Sequence, residues 1–157
     1  MEATGPPEQP PIARAAPDIE PRDRSILLVC GLLLLIGMPI GWLAGGGNSA
    51  GDVIGLIVAV AISLALMVWL VTRLVPRLRA DPPNRATRNA LILGILAVVV
   101  GLLFWTGLPF AFGAAALALG LSLQRSAPLS AGRGRATAAV VLGAIAVVAA
   151  FVLLLIG

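Results

Sequence analysis

Five long apolar runs leave this chain almost no choice of fold: Ser25–Leu43, Val53–Val75, Ala90–Thr106, Pro109–Leu123 and Ala136–Ile156. None contains an acidic residue, and Arg73, near the end of the second, is the only basic one. A bilayer core of about 30 Å takes about 20 apolar residues as helix. The first, second and fifth runs, of 19, 23 and 21 residues, meet that length alone. The third has 17 and the fourth 15. At the helical rise the fourth covers only about 22 Å. Residues 90–123 therefore read either as two full spans or as a re-entrant hairpin with both ends on one side.

With 59% apolar and only 11% charged residues, the chain lies far from soluble domains, which are about one-quarter charged. The expected fold is all-α, a polytopic transmembrane helical bundle of about five spans over residues 25–157. A tail at 1–24 precedes it, with six prolines and no helical or strand period, and is expected to be disordered. The first run exceeds the 7–15 residues usual in a signal peptide, which favours an uncleaved anchor over a leader cut after Ala50.

The arginines set the threading. Arg14, Arg22 and Arg24 precede the first run, and the loop at 44–52 has no basic residue. Arg73, Arg77, Arg79, Arg85 and Arg88 crowd the next connection. The turn at 106–109 is uncharged, and Arg125, Arg133 and Arg135 fill the last connection. By the positive-inside rule this alternation places the N-terminus in the cytoplasm and Gly157 outside a plasma (inner) membrane. It also accounts for the net charge of +4 without nucleic acid. These arginines suit anionic lipid at the cytoplasmic face. Their use to the exclusion of lysine, with the Ala, Val, Gly and Leu bias, suggests a GC-rich bacterial genome.

Smaller features follow from the same reading. Asp52 is placed to cap the second helix, where a carboxylate meets unpaired backbone N–H groups. Pro109 suits a helical first turn. Pro39 is expected to kink the first span. Trp42 and Trp105 are expected near the outer boundary and Trp69 near the inner one.

Chemistry is scarce. Without His or Tyr there is no imidazole for haem, zinc or proton relay. A lone cysteine, Cys30, allows no internal disulfide. No carboxylate lies within a run, whereas proton-coupled carriers use such groups. No phosphate loop is present. Neither an enzyme nor a bound cofactor or metal is expected. The polar residues in the runs are Ser63, Thr72, Thr106 and Ser122, each expected to bond its own helix backbone four residues back.

Helix association is what remains. Gly37, Gly41 and Gly45 are spaced by four in the first run, and Gly51 and Gly55 repeat the spacing after the loop. Such strips let backbones approach closely, and these two are expected to join the first two helices as a tight hairpin. Ala116/Gly120 and Ala139/Gly143 repeat the small-residue spacing. Leu93-Gly94-Ile95-Leu96-Ala97-Val98-Val99 and Leu142-Gly143-Ala144-Ile145-Ala146-Val147-Val148 agree at five of seven positions, each after an Arg-Ala-Thr tripeptide. This reads either as a parallel duplication or as chance in a chain of few residue types. Gly94 and Gly143 are equivalent in that echo.

Residues 88–157 also resemble small bacterial membrane proteins that carry domain of unknown function 4190. The residues concerned are Leu93-Gly94-Ile95, the basic loop Gly132-Arg133-Gly134-Arg135, and Leu142-Gly143. The likeness covers under half the chain, and the two N-terminal spans depart from the pattern. It implies a small, actinobacterial-type membrane protein and brings no activity. The leading expectation is a non-enzymatic accessory or scaffold subunit, packing with itself or within a larger membrane complex. A small transporter or channel component acting as an oligomer is the alternative.

Overall fold

The structure, a computed structural model, describes residues 20–46, 49–126 and 132–156. Those residues form helices joined by short turns, and five helical stretches are long and apolar enough to cross a membrane. The protein is an all-α, multi-pass membrane protein. The helices are α1 (Pro21–Ala44), α2 (Ala50–Trp69), α3 (Val75–Arg79), α4 (Pro83–Val100), α5 (Leu108–Ser126) and α6 (Gly132–Ile156). A π-helical turn, Leu70–Leu74, joins α2 to α3 as one rod. A 3₁₀ stretch, Gly101–Thr106, extends α4.

Each of the five long helices starts before its apolar run. α1 begins at Pro21, inside the segment read from sequence as tail. Proline suits a helix start because its missing N–H would be unpaired there anyway. Of the expected tail, residues 1–19 lie outside the described residues. At the head of α2 the cap is Ser49. Its hydroxyl accepts from the Asp52 N–H (3.2 Å), while the Asp52 carboxylate accepts from the Ser49 N–H (3.0 Å). Asp52 thus serves as the reciprocal half of a capping box, three positions inside the cap site expected for it. Pro39 lies within α1, which continues helical on both sides of it.

The shortest apolar run is the centre of the bundle. From Pro109 to Gly120 every residue of α5 is buried except Phe112 and Leu117. A helix buried all round must be covered by other helices, and α1, α2, α4 and α6 all pack on α5. Its small residues allow that. A Cβ at Gly113 would stand 3.1 Å from the Gly143 carbonyl and 2.5 Å from a Val147 methyl of α6. One at Gly120 would meet the Ala136 carbonyl at 3.0 Å. On α6 the buried stripe Ala136, Ala139, Gly143, Ala146, Val147, Ala150 and Leu154 keeps the helical period. Gly94 of α4 packs on Ala139 and Leu142 of the same helix. The two segments of the sequence echo therefore lie side by side, and Gly94 and Gly143 meet different neighbours.

Length alone misleads about the α4–α5 hairpin. Its turn, Thr106–Gly107, meets Ser63 of α2 and Leu34 of α1; Leu34 is the midpoint of its apolar run and Ser63 lies one residue from the midpoint of its own. Measured along the helices, α1 continues about 15 Å beyond that level and α2 about 20 Å. The turn is therefore enclosed among the other helices. Gly107 has φ +73°, and a Cβ there would fall 2.7 Å from the Ser63 hydroxyl and 2.8 Å from a Leu34 methyl. Only glycine meets both demands.

Candidate functional site

The helix starts and ends that carry arginine converge on one end of the bundle, where they enclose a polar cluster. Arg79, on α3, reaches into it. Its Nε donates to the Ser122 hydroxyl (3.0 Å), and one terminal nitrogen donates to Asp23 Oδ1 (2.9 Å) and to the Ala118 carbonyl (3.2 Å). The other terminal nitrogen lies 3.6 Å from the Glu20 carboxylate. One guanidinium thereby ties α3 to α1 and α5. Asp23 is only 3% exposed, and Arg79 is the cation that faces it there. The planar fork of arginine serves several acceptors at once, where a lysine ammonium would not hold them in the same geometry.

The π-turn puts Arg79 there. Ser63, Met67, Val71 and Val75 line the buried side of the α2–α3 rod, and Arg79 continues that spacing of four. In an unbroken α-helix, sixteen residues would leave Arg79 about 160° away from the Ser63 face. A π-turn inserts one residue and turns the following helix back by about 100°. The sequence cause is Pro76. It has no N–H for the Thr72 carbonyl, and its ring crowds that turn. The ladder widens just before it, with the Val75 N–H bonded to the Leu70 carbonyl.

Between these helix ends lies a cavity of about 270 Å³. Glu20, Arg22, Arg79, Asp81, Thr87, Ser122 and Arg125 are among its lining. Thr87 is fully buried and bonds back to the Pro83 carbonyl (2.9 Å). Asn89 donates to Asp81 (3.3 Å), and Gln124 donates to Thr137 of α6 (3.2 Å). The other arginines picked out from the sequence, Arg73, Arg77, Arg85, Arg88, Arg125, Arg133 and Arg135, are exposed around this end.

Sequence reasoning missed Asp23, which it left in the tail. The available signal was periodicity. Asp23 lies seven residues before Cys30, on the stripe of Cys30, Leu34 and Met38 that α1 buries. Of the four polar residues within the runs, one meets the expectation and three depart from it. Thr72 bonds four residues back, to Val68 (2.7 Å). Thr106 and Ser122 bond three back, to Leu103 and Leu119. Ser63 bonds across helices instead, donating to the Thr106 carbonyl (2.7 Å). The 3₁₀ stretch and turn leave that carbonyl without a helical partner, and apolar surroundings demand one.

The glycine strips part company. Gly37 packs on Phe151 and Leu154 of α6, and a Cβ at Gly41 would stand 2.6 Å from the Leu154 carbonyl. The α1 strip thus serves α6, correcting the expected α1–α2 glycine hairpin. Gly45 meets only its own helix, Gly51 only Ser49, and Gly55 nothing within 4 Å. The α1–α2 contact is made instead where Gly31 faces Met67 and Leu64. Trp105 and Trp69 are half exposed. Compared with protein-family models, curated proteins and solved structures, the chain matches none.

Proposed function

We propose that the protein is a non-enzymatic accessory subunit of a bacterial inner membrane, with its arginine end in the cytoplasm, and that it packs through α2 against a second copy or a larger membrane complex. The observation that supports this is the state of α2 between Ala50 and Ile62, where no residue is buried. Its Gly51 and Gly55, spaced as in the strips that join helices elsewhere in the bundle, meet no other helix. Ile54, Ile57 and Ile62 are each about three-fifths exposed. Lipid covers such a surface adequately, but small residues at helical contacts are what transmembrane helices use to recognise one another. The likeness to domain of unknown function 4190 adds only that a small bacterial membrane protein is the setting.

The test is the mass and composition of the tagged protein extracted from its own membranes in mild detergent. A homo-oligomer, or a second protein at fixed stoichiometry, that is lost in Gly55→Trp supports the proposal. A monomer of unchanged mass in both forms overturns it.

A further inference from the structure

A second recess adjoins the polar cavity. It is a groove of about 220 Å³ lined by Arg22, Ser25, Ile26, Val29 and Cys30 of α1 and by Leu117 of α5. Arg22 lines both spaces. The α1 residues recur at the helical period, so the groove follows one face of α1 for about 12 Å away from the arginine end. A polar chamber at the helix ends and an open apolar groove along α1 thus share one arginine, Arg22. A phospholipid has that division: a charged headgroup joined to an acyl chain.

The charges around the chamber narrow the choice of lipid. Arg22, Arg79 and Arg125 face Glu20 and Asp81, with Asp23 held behind Arg79. Three positive and three negative groups balance. Among the described residues the ion pairs are those of Arg79, so Arg22 and Arg125 are the arginines available to a phosphate. Glu20 and Asp81 each have one carboxylate oxygen engaged, by Arg79 and by Asn89, and offer the other to an ammonium. An anionic headgroup would use only half of this lining, whereas a zwitterion uses both. We infer that the chamber and groove bind one zwitterionic aminophospholipid, with its phosphodiester toward Arg22 and Arg125, its ammonium toward the carboxylates and one acyl chain along Ile26, Val29 and Leu117. Among the described residues the exposed arginines elsewhere at this end form no ion pair and suit anionic lipids, so the two lipid classes separate by place.

The test titrates the detergent-solubilised full chain with phosphatidylethanolamine, phosphatidylcholine and phosphatidylglycerol of identical acyl chains, counting bound lipids by native mass spectrometry. Phosphatidylethanolamine is expected to bind at one site and more tightly than phosphatidylcholine, whose quaternary nitrogen has no N–H to donate. Arg22→Gln and Arg125→Gln should each weaken that site about fivefold, the worth of one arginine near a headgroup. Val29→Trp, which fills the groove without touching the chamber, should abolish it. Lipid-free thermal stability equal to that of the parent protein shows that each variant is folded. Tighter binding of phosphatidylglycerol at the site, or unchanged phosphatidylethanolamine binding in the arginine or groove variants, overturns the inference. Failure of the accessory-subunit proposal shows instead in the oligomer mass, which these variants leave alone.

Discussion

The two halves of the bundle are built differently from much the same residues. Toward the arginine end, α5 is sheathed by α1, α2, α4 and α6, and glycine and alanine bring backbones into contact. Beyond the Thr106–Gly107 turn α5 is absent. There α1 and α6 hold to each other through Gly37 and Gly41, and α2 stands off with no buried residue before Ser63. Small residues spaced by four occur in both halves, as Ala116/Gly120 and Ala139/Gly143 in the first and as Gly37/Gly41 and Gly51/Gly55 in the second. Gly120 and Gly143 in the one and Gly41 in the other meet a neighbouring backbone, whereas Gly55 faces open space. The spacing permits close approach, but what lies opposite decides whether it stabilises anything.

The contrast can be broken most forcefully at the arginine cluster. Arg79→Met should destabilise the protein by about 3 kcal/mol, the lower end for breaking a buried pair because Arg79 keeps some solvent access. Adding Asp23→Leu should restore most of that loss, since the uncompensated carboxylate is then removed. Reversible unfolding in mixed micelles measures both. A single variant as stable as the parent would show that the pair does not hold these helices.

Glycine substitutions sharpen the comparison directly. Gly113→Val drives a side chain into Val147 and the Gly143 carbonyl, and should cost about 1–3 kcal/mol as overpacking does. Gly55→Leu, in the open half, should leave the stability of the isolated chain unchanged. Equal effects from the two would dissolve the distinction between the halves. Ser63→Ala, at the boundary, removes the donor to the Thr106 carbonyl and should cost about 1 kcal/mol. The smallest effect is expected at the far end of α2, where Ser49→Ala loses an exposed cap. About 0.5 kcal/mol is the low end for a capping residue, and melting in detergent resolves it from the Ser63 effect.

What was legible in the sequence, and what was not, divides along a physical line. Apolar runs and their charged borders report contact with lipid, so the five helices and the gathering of arginines at one end could be read directly. Contact between helices leaves a weaker trace. α5 has the least apolar of the five candidate spans, because Ala and Gly contribute little hydropathy while allowing the closest packing. Its shortness hid the fact that it is the centre. Asp23 escapes a hydropathy reading because α1 opens on four polar or proline residues, Pro21 to Arg24. Arg79 was recognised as a border arginine, but its inward direction depends on a π-turn that Pro76 explains only once the helix is seen to continue through it. Gly41 and Gly55 looked alike for the same reason: a local pattern does not name its partner.

The Thr106–Gly107 turn also bears on the making of the protein. Its carbonyl accepts from Ser63, and its glycine packs against Ser63 and Leu34. Both of those residues belong to helices translated before it, and chains generally acquire structure from the N-terminal side during synthesis. The cradle for the turn is therefore synthesised ahead of the turn, and the α4–α5 hairpin arrives with its dock already in place.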